Sequence, residues 1–405
     1  MRRGSNLPAV GTYNQTVVLD IIRRSRDGLS RVELSEQTGL SAQTLSNVTR
    51  RLSAQGLIVE AGKVISGPGK PRTLLALNPR SRYAIGIHLD PAVDTIVLVD
   101  MAGTVIAQAE HPPARSMQTT QLIASMAAAV SDIIARSGID VERILGIGVA
   151  APGPLESERF LNPPLLPAWH GVDIRGELAT ATGFAVVVEK DVTAAVVGEL
   201  WLDRSDDVGD AIFFYYGAGI GAGLAVASPP VRGATGNAGD IAHLTVDRDG
   251  PLCECGMPGC LGIALEPASV LTEAGIREPG MRAADVPVDP RPELDRLRLL
   301  AESGDARAFG AIERAAKRLA RGLVQIDNLL DAGVAIMAGP VWARLAPVLR
   351  EPLQAFVAAD PAVRTMRPLR LRESRLGTDA AAVGAACLLL DGAFTARTSD
   401  LLITR

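Results

Sequence analysis

Apolar residues near the start of the chain recur at intervals of three and four positions, the spacing that places side chains on one face of a helix. The first such stripe lies within residues 14–26 and consists of Val17, Val18, Ile21 and Ile22. Ser30 followed by Glu33 has the spacing of a capping box, and Gly39 is a typical helix end. The pattern therefore predicts two successive helices before Leu40.

A third helix is predicted from the segment SAQTLSNVTRRLSAQG, which starts with the favourable N-cap residue Ser41 and ends at Gly56. Its inner face carries the apolar residues Leu45, Val48 and Leu52. Helices joined by a tight turn in this way form a helix-turn-helix. The next segment, residues 57–79, has the pattern of strand, loop and strand, which is typical of a wing.

The polar positions of the third helix lie opposite its inner face, at about 100° per residue. Asn and Gln can bind adenine edges in the major groove, and Arg can bind guanine or phosphate. The tip of the wing adds basic residues that can contact phosphates or enter a minor groove. The predicted DNA-contacting residues are Gln43, Thr44, Ser46, Asn47, Arg50 and Arg51 on the helix, with Lys70 and Arg72 on the wing. A helix face that is merely solvated would show a similar pattern.

Charge separates this module from the rest of the chain. Residues 1–80 contain 12 Lys and Arg against five Asp and Glu, a net charge of +7. The whole chain carries −4, so the remaining 325 residues carry −11. A small basic module joined to a large acidic one indicates that the first part binds a polyanion and the second does not. Accidental asymmetry is the alternative.

Beyond the wing, short apolar strands alternate with helices. Residues 83–110 predict a hairpin of buried strands, and Gln121–Ser137 predicts a helix. Further helices are predicted over Asp305–Leu330 and Trp342–Ala358, on either side of the strand VAIMAG. This alternation predicts an α/β fold. With 405 residues, of which 47% are hydrophobic and 21% charged, the chain is expected to be globular with more than one domain.

No apolar run follows the basic N-terminus, so no signal peptide is predicted and a cytoplasmic location is expected. The uncharged stretch Ala211–Pro230 is about long enough to span a membrane, but its glycines and prolines favour two strands around a turn. In a reducing compartment, clustered cysteines bind metal more often than they form disulfides.

Three of the four cysteines and one of the four histidines fall within 18 consecutive positions. The cluster consists of His243, Cys253, Cys255 and Cys260, with nine, one and four residues between them. One imidazole and three thiolates form the ligand set of a closed structural zinc site, with no open position for an activated water. Reduced cysteines without a metal are the alternative. Cys387 lies in an apolar run and is expected to be an ordinary core residue.

These features resemble the ROK family (repressors, open reading frames, sugar kinases). The resemblance rests on the winged helix-turn-helix and on the motifs VEKDVTAAVVGELW, YYGAGIGAGLAVA and RGATGNAGDIAHLTVDRDGPLCECGMPGCLG, and it covers nearly the whole chain. It implies an actin-like ATPase (ribonuclease H-like) fold of two α/β lobes around a cleft. The implied units are a winged helix-turn-helix domain at 1–80, lobe 1 at 81–200 completed by a C-terminal helix at about 379–392, and lobe 2 at 201–378 with the zinc site and a dimerisation surface.

The resemblance also shows where the chain departs from the kinases, which hold the phosphates of ATP in two glycine-rich turns. The second turn is present as YGAGIGAG, but the first is replaced by IHLDPAVDT. The replaced positions are His88, Asp90, Pro91 and Ala92. A carboxylate repels phosphate, and proline lacks an N–H donor. The chain is therefore predicted not to bind ATP and not to be an enzyme, although Asp191 matches the family's catalytic aspartate.

The sugar-binding positions of the family are only partly preserved. The resemblance implies sugar contacts for Asn162, Asp191, Asp240 and His243. Asp240 stands in place of a glutamate, Gly262 replaces another glutamate, and Lys190 stands where an asparagine is usual. Loss of a hydrogen-bonding partner changes the specificity of such a site sharply. The pocket is expected to accept a different sugar, a phosphorylated sugar, or nothing.

These expectations describe a cytoplasmic, DNA-binding transcriptional regulator that represses genes of carbohydrate uptake or catabolism. Its expected partners are a palindromic double-stranded operator, a small carbohydrate-like effector and further copies of itself in a homodimer or tetramer, with no membrane. Structural Zn²⁺ is the expected cofactor. Two alternatives stay open: a regulator whose C-terminal part only oligomerises or binds a protein, and an active sugar kinase.

Overall fold

The structure is a computed structural model that describes residues 7–64, 71–91, 93–111, 119–156, 159–160, 166–204, 209–217, 219–278, 289–362 and 368–397. The α-helices in these residues are α1 (Leu7–Arg24), α2 (Arg31–Thr38), α3 (Ala42–Ala54), α4 (Thr119–Ser137), α5 (Ile174–Thr182), α6 (Asp191–Leu202), α7 (Leu261–Leu265), α8 (Pro267–Glu273), α9 (Arg291–Glu302), α10 (Ala306–Leu330), α11 (Pro340–Ala359) and α12 (Ala380–Phe394). The strands are β1 (Leu29–Ser30), β2 (Ile58–Val64), β3 (Arg72–Leu77), β4 (Tyr83–His88), β5 (Asp94–Asp100), β6 (Val105–His111), β7 (Ile144–Ala151), β8 (Leu155–Glu156), β9 (Arg159–Phe160), β10 (Val186–Lys190), β11 (Ala211–Tyr216), β12 (Ile220–Ala225), β13 (Val334–Ala338) and β14 (Arg370–Glu373).

Helices α1, α2 and α3 pack together and are followed by a wing in which β3 pairs with both β1 and β2 in antiparallel fashion. The capping box of Ser30 and Glu33 is formed, and Gly39 ends α2 with a φ of 68°. Helix α1 begins at Leu7, earlier than the predicted segment 14–26. The apolar stripe starts only at Val17. The preceding turns contain Gly11 and polar residues, which give no helical period of apolar side chains, so the earlier part of the helix was not predicted.

The next sheet has the strand order β10-β7-β4-β5-β6. Strands β4, β5 and β6 form antiparallel pairs, whereas β7 is parallel to both β4 and β10. Their apolar side chains pack against α4 and α5 on one face of the sheet. The carboxyl ends of β4, β7 and β10 therefore meet at one edge, which is where α/β folds place their ligand sites.

A smaller sheet has the order β12-β11-β13-β14. Strands β11 and β12 form an antiparallel hairpin, whereas β13 is parallel to β11 and β14. Helices α9, α10 and α11 form a second core with this sheet. Most of the inward side chains on α10 are alanine or leucine, so the helices can approach each other closely.

Helix α12 returns from the C-terminal third to the first sheet and packs between β4, β7 and α6. The contact is backbone to backbone, because a Cβ atom added to Gly86 would lie 1.9 Å from the Ala382 carbonyl oxygen. Among the described residues, the segment Gly377–Phe394 is the one helix that is long and apolar enough to cross a membrane. Residues of α12 such as Cys387 and Leu390 have no exposed surface, as expected for the helix of a protein core.

Candidate functional site

The exposed side of α3 carries the residues predicted to contact DNA. The buried side consists of Leu45, Val48 and Leu52, which lie in the core of the module. The outward residues are exposed or half-buried: Gln43, Thr44, Ser46, Asn47, Arg50 and Arg51. Arg50 donates a hydrogen bond to Asn47 Oδ1, so these two side chains orient each other before any DNA is bound. The surface thus offers amide and guanidinium groups of the kind that read base edges.

The N-terminus of α3 is fixed by its cap. The Thr44 N–H donates to Ser41 Oγ at 3.2 Å, and the two hydroxyl oxygens lie 2.9 Å apart. The free N–H groups and positive dipole at such an end favour contact with a phosphate. In the wing, Arg72 is exposed at the start of β3. Lys70, the other wing residue predicted to contact DNA, lies outside the described residues.

The cysteine and histidine cluster assembles as its spacing predicts. The ligand atoms of His243, Cys253, Cys255 and Cys260 all lie within 4.8 Å of one another. The distance from Cys253 Sγ to His243 Nδ1 is 3.5 Å, and that from Cys255 Sγ to Cys260 Sγ is also 3.5 Å. Two sulfurs bound to one tetrahedral zinc at about 2.3 Å are about 3.7 Å apart, whereas a disulfide requires about 2.05 Å. The donor set and its size therefore fit a zinc ion.

Close backbone packing holds this loop in shape. Gly259 has a φ of 63°, and a Cβ atom on it would lie 1.5 Å from the Asp247 carbonyl oxygen. The Asp247 carboxylate accepts a hydrogen bond from Arg318 Nε at 2.9 Å, which ties the loop to α10. Burial acts to raise the pKa of Asp247, but the hydrogen bond and charge of Arg318 outweigh it and the pKa is lowered. The cluster of His243 and the three cysteines is thereby anchored to the second core.

A cleft of about 290 Å³ lies between the two sheets. Its walls come from the carboxyl ends of β4, β7 and β10, from the β11–β12 hairpin and from the loop that leads to the metal cluster. The lining includes Asp191, Asp240 and His243, three of the four residues predicted to bind a sugar. The fourth, Asn162, lies outside the described residues. His243 thus lines the cleft while its Nδ1 faces Cys253, so a bound metal would fix one wall of the pocket.

Two carboxylates, those of Asp90 and Asp191, line the cleft. Asp191 opens α6, and burial raises its pKa, with His88 acting in the opposite direction. Asp90 accepts a hydrogen bond from the Tyr215 hydroxyl at 3.4 Å. The ring centroids of Tyr215 and His88 lie 6.4 Å apart with an edge-on geometry. Sequence reasoning did not identify Tyr215, because the strand that carries it has the apolar pattern of a core strand.

The turn after β4, which differs from the glycine-rich turn expected from the resemblance, is stabilised by hydrogen bonds and an ion pair within the protein. The Asp90 N–H donates to Asp94 Oδ1 at 3.2 Å. The other oxygen of Asp94 lies 3.7 Å from His111 Nδ1, and His111 Nε2 lies 2.7 Å from Ser125 Oγ. Asp94 is 1% exposed, and burial raises its pKa. Asp94, His111 and Ser125 carry no sequence motif, so this support was not predicted.

The glycine run YGAGIGAG has two separate structural roles. Gly217 and Gly219 form the turn between β11 and β12, with the Gly217 N–H bonded to the Gly219 carbonyl at 3.0 Å. Gly223 lies inside β12, where an added Cβ would be 2.1 Å from the Val192 carbonyl oxygen. The predicted turn is therefore only part of the explanation, because the later glycines let β12 pack directly on α6.

Two departures from the family pattern have local explanations. A Cβ on Gly262 would lie 3.1 Å from Ala242 Cβ, so a long acidic side chain would require the chain at Ala242 to shift. Lys190 is 7% exposed, and its ammonium donates to the backbone carbonyls of Asn237 at 3.2 Å and Ala238 at 3.3 Å. Burial lowers the pKa of Lys190, while Asp191 and Asp240 raise it. Lys190 thus bonds to the protein across the cleft.

Comparison with known proteins covers both parts of the chain. The xylose repressor of Bacillus spizizenii is 25% identical over 385 residues, which span 94% of this chain and 96% of that protein. A solved ROK family transcriptional regulator, described as a homologue of the E. coli MLC protein, superposes with a TM-score of 0.74 at 21% identity and covers 95% of this chain and 97% of its own. The ROK hexokinase from Thermus thermophilus has a TM-score of 0.57 at 26% identity and covers 75% of this chain and 97% of its own.

The regulator and the hexokinase confirm the expected fold class: a winged helix-turn-helix followed by a two-lobed, actin-like α/β fold. The hexokinase matches a smaller share of this chain than the regulator does. The ROK family profile matches residues 85–392. This chain belongs to the ROK family.

Proposed function

We propose that this chain is a DNA-binding transcriptional repressor of carbohydrate genes, controlled by a sugar-like effector in a cleft that no longer binds ATP. The observation that carries the proposal is that one chain combines two features. Helix α3 exposes side chains suited to reading DNA bases, and the ROK fold that follows has the Asp90 carboxylate in the turn after β4. Both parts have a counterpart in the xylose repressor, which matches this chain almost from end to end. The fold alone does not distinguish a repressor from a kinase, since a ROK hexokinase has the same fold. The proposed function is therefore inferred from the residues of the site.

The proposed units are those expected from the resemblance: 1–80 for DNA binding, 81–200 with the C-terminal helix at about 379–392 as lobe 1, and 201–378 as lobe 2. Each module presents one recognition helix. A homodimer would present two, which matches a palindromic operator with half-sites in successive major grooves. Zn²⁺ on His243, Cys253, Cys255 and Cys260 serves a structural role, because four protein ligands leave no position for a reacting water.

We expect no magnesium-dependent transfer of phosphate from ATP to any sugar. In the turn that resembles the first phosphate-binding turn of the kinases, this chain has the Asp90 carboxylate, which repels phosphate, and Pro91, which offers no N–H donor. The test is a coupled assay of ATP turnover with a panel of hexoses and pentoses, run beside a working ROK hexokinase as positive control. Turnover that rises with sugar concentration and disappears in Asp191→Asn would show that the chain is a kinase.

The effector is proposed to be a monosaccharide or a close relative of one. A cleft of about 290 Å³ is at the small end of the range for ligand pockets. Its lining combines Asp191, Asp240 and His243 with an apolar wall, a combination suited to a polyol. Thermal unfolding of the purified protein with a panel of pentoses, hexoses and their phosphates should show stabilisation by one class. No shift with any of them would favour a C-terminal part that only oligomerises.

A further inference from the structure

The mouth of the cleft is bridged by protein contacts. Asn237, in the loop before the metal cluster, accepts from the Leu155 N–H at 2.9 Å and donates to the Leu155 carbonyl at 2.7 Å. Beside it, the Lys190 ammonium bonds to the carbonyls of Asn237 and Ala238. Arg232, in the same loop, forms an ion pair of 2.6 Å with Glu189. We name this set of contacts the clasp; its residues are Leu155, Glu189, Lys190, Arg232, Asn237 and Ala238.

Helix α6 starts at Asp191, the residue that follows Lys190 of the clasp. It runs from Asp191, on the floor of the cleft, to its last turn at Trp201, a distance of about 15 Å along the axis. Both flanks of the helix are in backbone contact with neighbours. An added Cβ on Gly198 would lie 2.9 Å from Gly384 Cα in α12, and Val192 meets Gly223 of β12. Because backbones meet directly at these points, we expect any displacement of α6 to move the whole helix as a rigid body.

The far end of α6 holds the DNA-binding module. The Arg23 guanidinium, at the end of α1, donates to the Trp201 carbonyl and lies 4.1 Å from the centre of the Trp201 ring. The Trp201 indole N–H donates to the Met101 carbonyl at 3.1 Å. Met101 has no exposed surface and packs into the core of the winged module. Arg23 is 7% exposed and also pairs with Asp20. We name the contact of Arg23 with Trp201 the grip.

We propose that the clasp, α6 and the grip form one path that couples the cleft to the DNA-binding module, with Lys190 as the residue that senses the effector. This inference rests on the proposed function, since it concerns how effector binding is transmitted. A lysine ammonium has three N–H donors, and the backbone carbonyls of Asn237 and Ala238 accept from two of them. A sugar oxygen that binds the Lys190 ammonium draws it away from these carbonyls, weakens the attachment of the loop to β10, and shifts α6 at its first residue.

The grip would transmit a shift of α6 to the DNA-binding module. Arg23 bonds through a planar guanidinium that must keep both its stacking on the ring and its bond to the carbonyl of Trp201, so a change in the position of Trp201 reorients α1. Helix α1 packs on α3, which carries the reading face. In a dimer, a small rotation of each reading helix changes the spacing of the pair, and operator affinity falls.

The test is a double-mutant cycle in operator affinity, with no ligand added. Wild type, Lys190→Met, Arg23→Gln and the double variant are compared on a duplex that the wild-type protein selects from a random pool, with dissociation constants measured by fluorescence anisotropy. Lys190→Met removes the two ammonium contacts of the clasp and should weaken operator binding about tenfold in the wild-type background. In the Arg23→Gln background the same change should alter the affinity by less than about twofold, because the contact between Arg23 and Trp201 is already lost.

An equal loss in both backgrounds, or no loss from Lys190→Met in the wild-type background, would overturn the coupling. Arg26→Gln is the matched control, because Arg26 is exposed, lies just beyond α1 and carries the same charge; in that background the tenfold effect should persist. If Arg23→Gln fails to fold by circular dichroism, Arg23→Lys replaces it, since lysine keeps the charge but lacks the planar group. Failure of the wild-type protein to select any duplex would count against the proposed function itself and is seen before the cycle begins.

Discussion

Cys255→Ala is expected to abolish binding of the proposed zinc ion and to lower the melting temperature of the protein by about 5–10 °C. Cys255 is exposed, so removal of its thiol disturbs no packing and any loss of stability must come through the metal. The cluster joins the loop of His243 to the start of α7, and its release would also free one wall of the cleft. The measurements are zinc per chain by elemental analysis and unfolding by calorimetry.

Cys387→Ala provides the matched control for this experiment. Cys387 is buried in α12 and lies in a different core from the metal cluster, so its loss removes a thiol and leaves a small cavity. This variant should keep one zinc per chain although it is somewhat less stable. Equal zinc content in Cys255→Ala and in wild type would contradict the assignment of the four ligands.

Asn47→Ala and Arg50→Ala are each expected to weaken binding to the selected operator by about 1–3 kcal/mol while leaving affinity for random duplex nearly unchanged. Both side chains lie on the outward face of α3, and Arg50 donates to Asn47, so the two losses should not be additive. Arg72→Ala should instead weaken both duplexes and reduce the salt dependence, as expected for a phosphate contact. Anisotropy titrations at several salt concentrations separate the two patterns.

Equal losses on operator and random duplex for the α3 variants would mean that this helix contacts only the backbone. The reading face would then have to be sought on another element. Ser46→Ala is a useful comparison. Ser46 is exposed on the same face, and this substitution removes only a hydroxyl group.

The DNA-binding module could be predicted closely because its signals are local. The capping box at Ser30 and the stripe of Leu45, Val48 and Leu52 each fix an element within a few residues. The metal cluster is similar, since its ligands lie within one loop of 18 residues. In both cases the interacting groups are near each other in sequence, so spacing alone constrains their geometry.

The cleft could be predicted only in part, because its groups meet through the packing of distant segments. The hydrogen bond between Tyr215 and Asp90 spans 125 positions of the chain, and the bonds between Asn237 and Leu155 span 82. The periodicity of apolar residues cannot indicate contacts between segments so far apart in the sequence. The glycines of β12 illustrate the same limit: their pattern indicated a turn, whereas Gly223 is required by the backbone of α6, which no local signal reveals.

We propose that the ROK cleft of this protein controls its DNA-binding module. The most direct measurement is the affinity of the full-length protein for its selected operator, titrated with each sugar that raises its melting temperature. We expect at least one such sugar to weaken operator binding about tenfold or more, without any consumption of ATP. An operator affinity that stays the same at saturating concentrations of every stabilising sugar would contradict it.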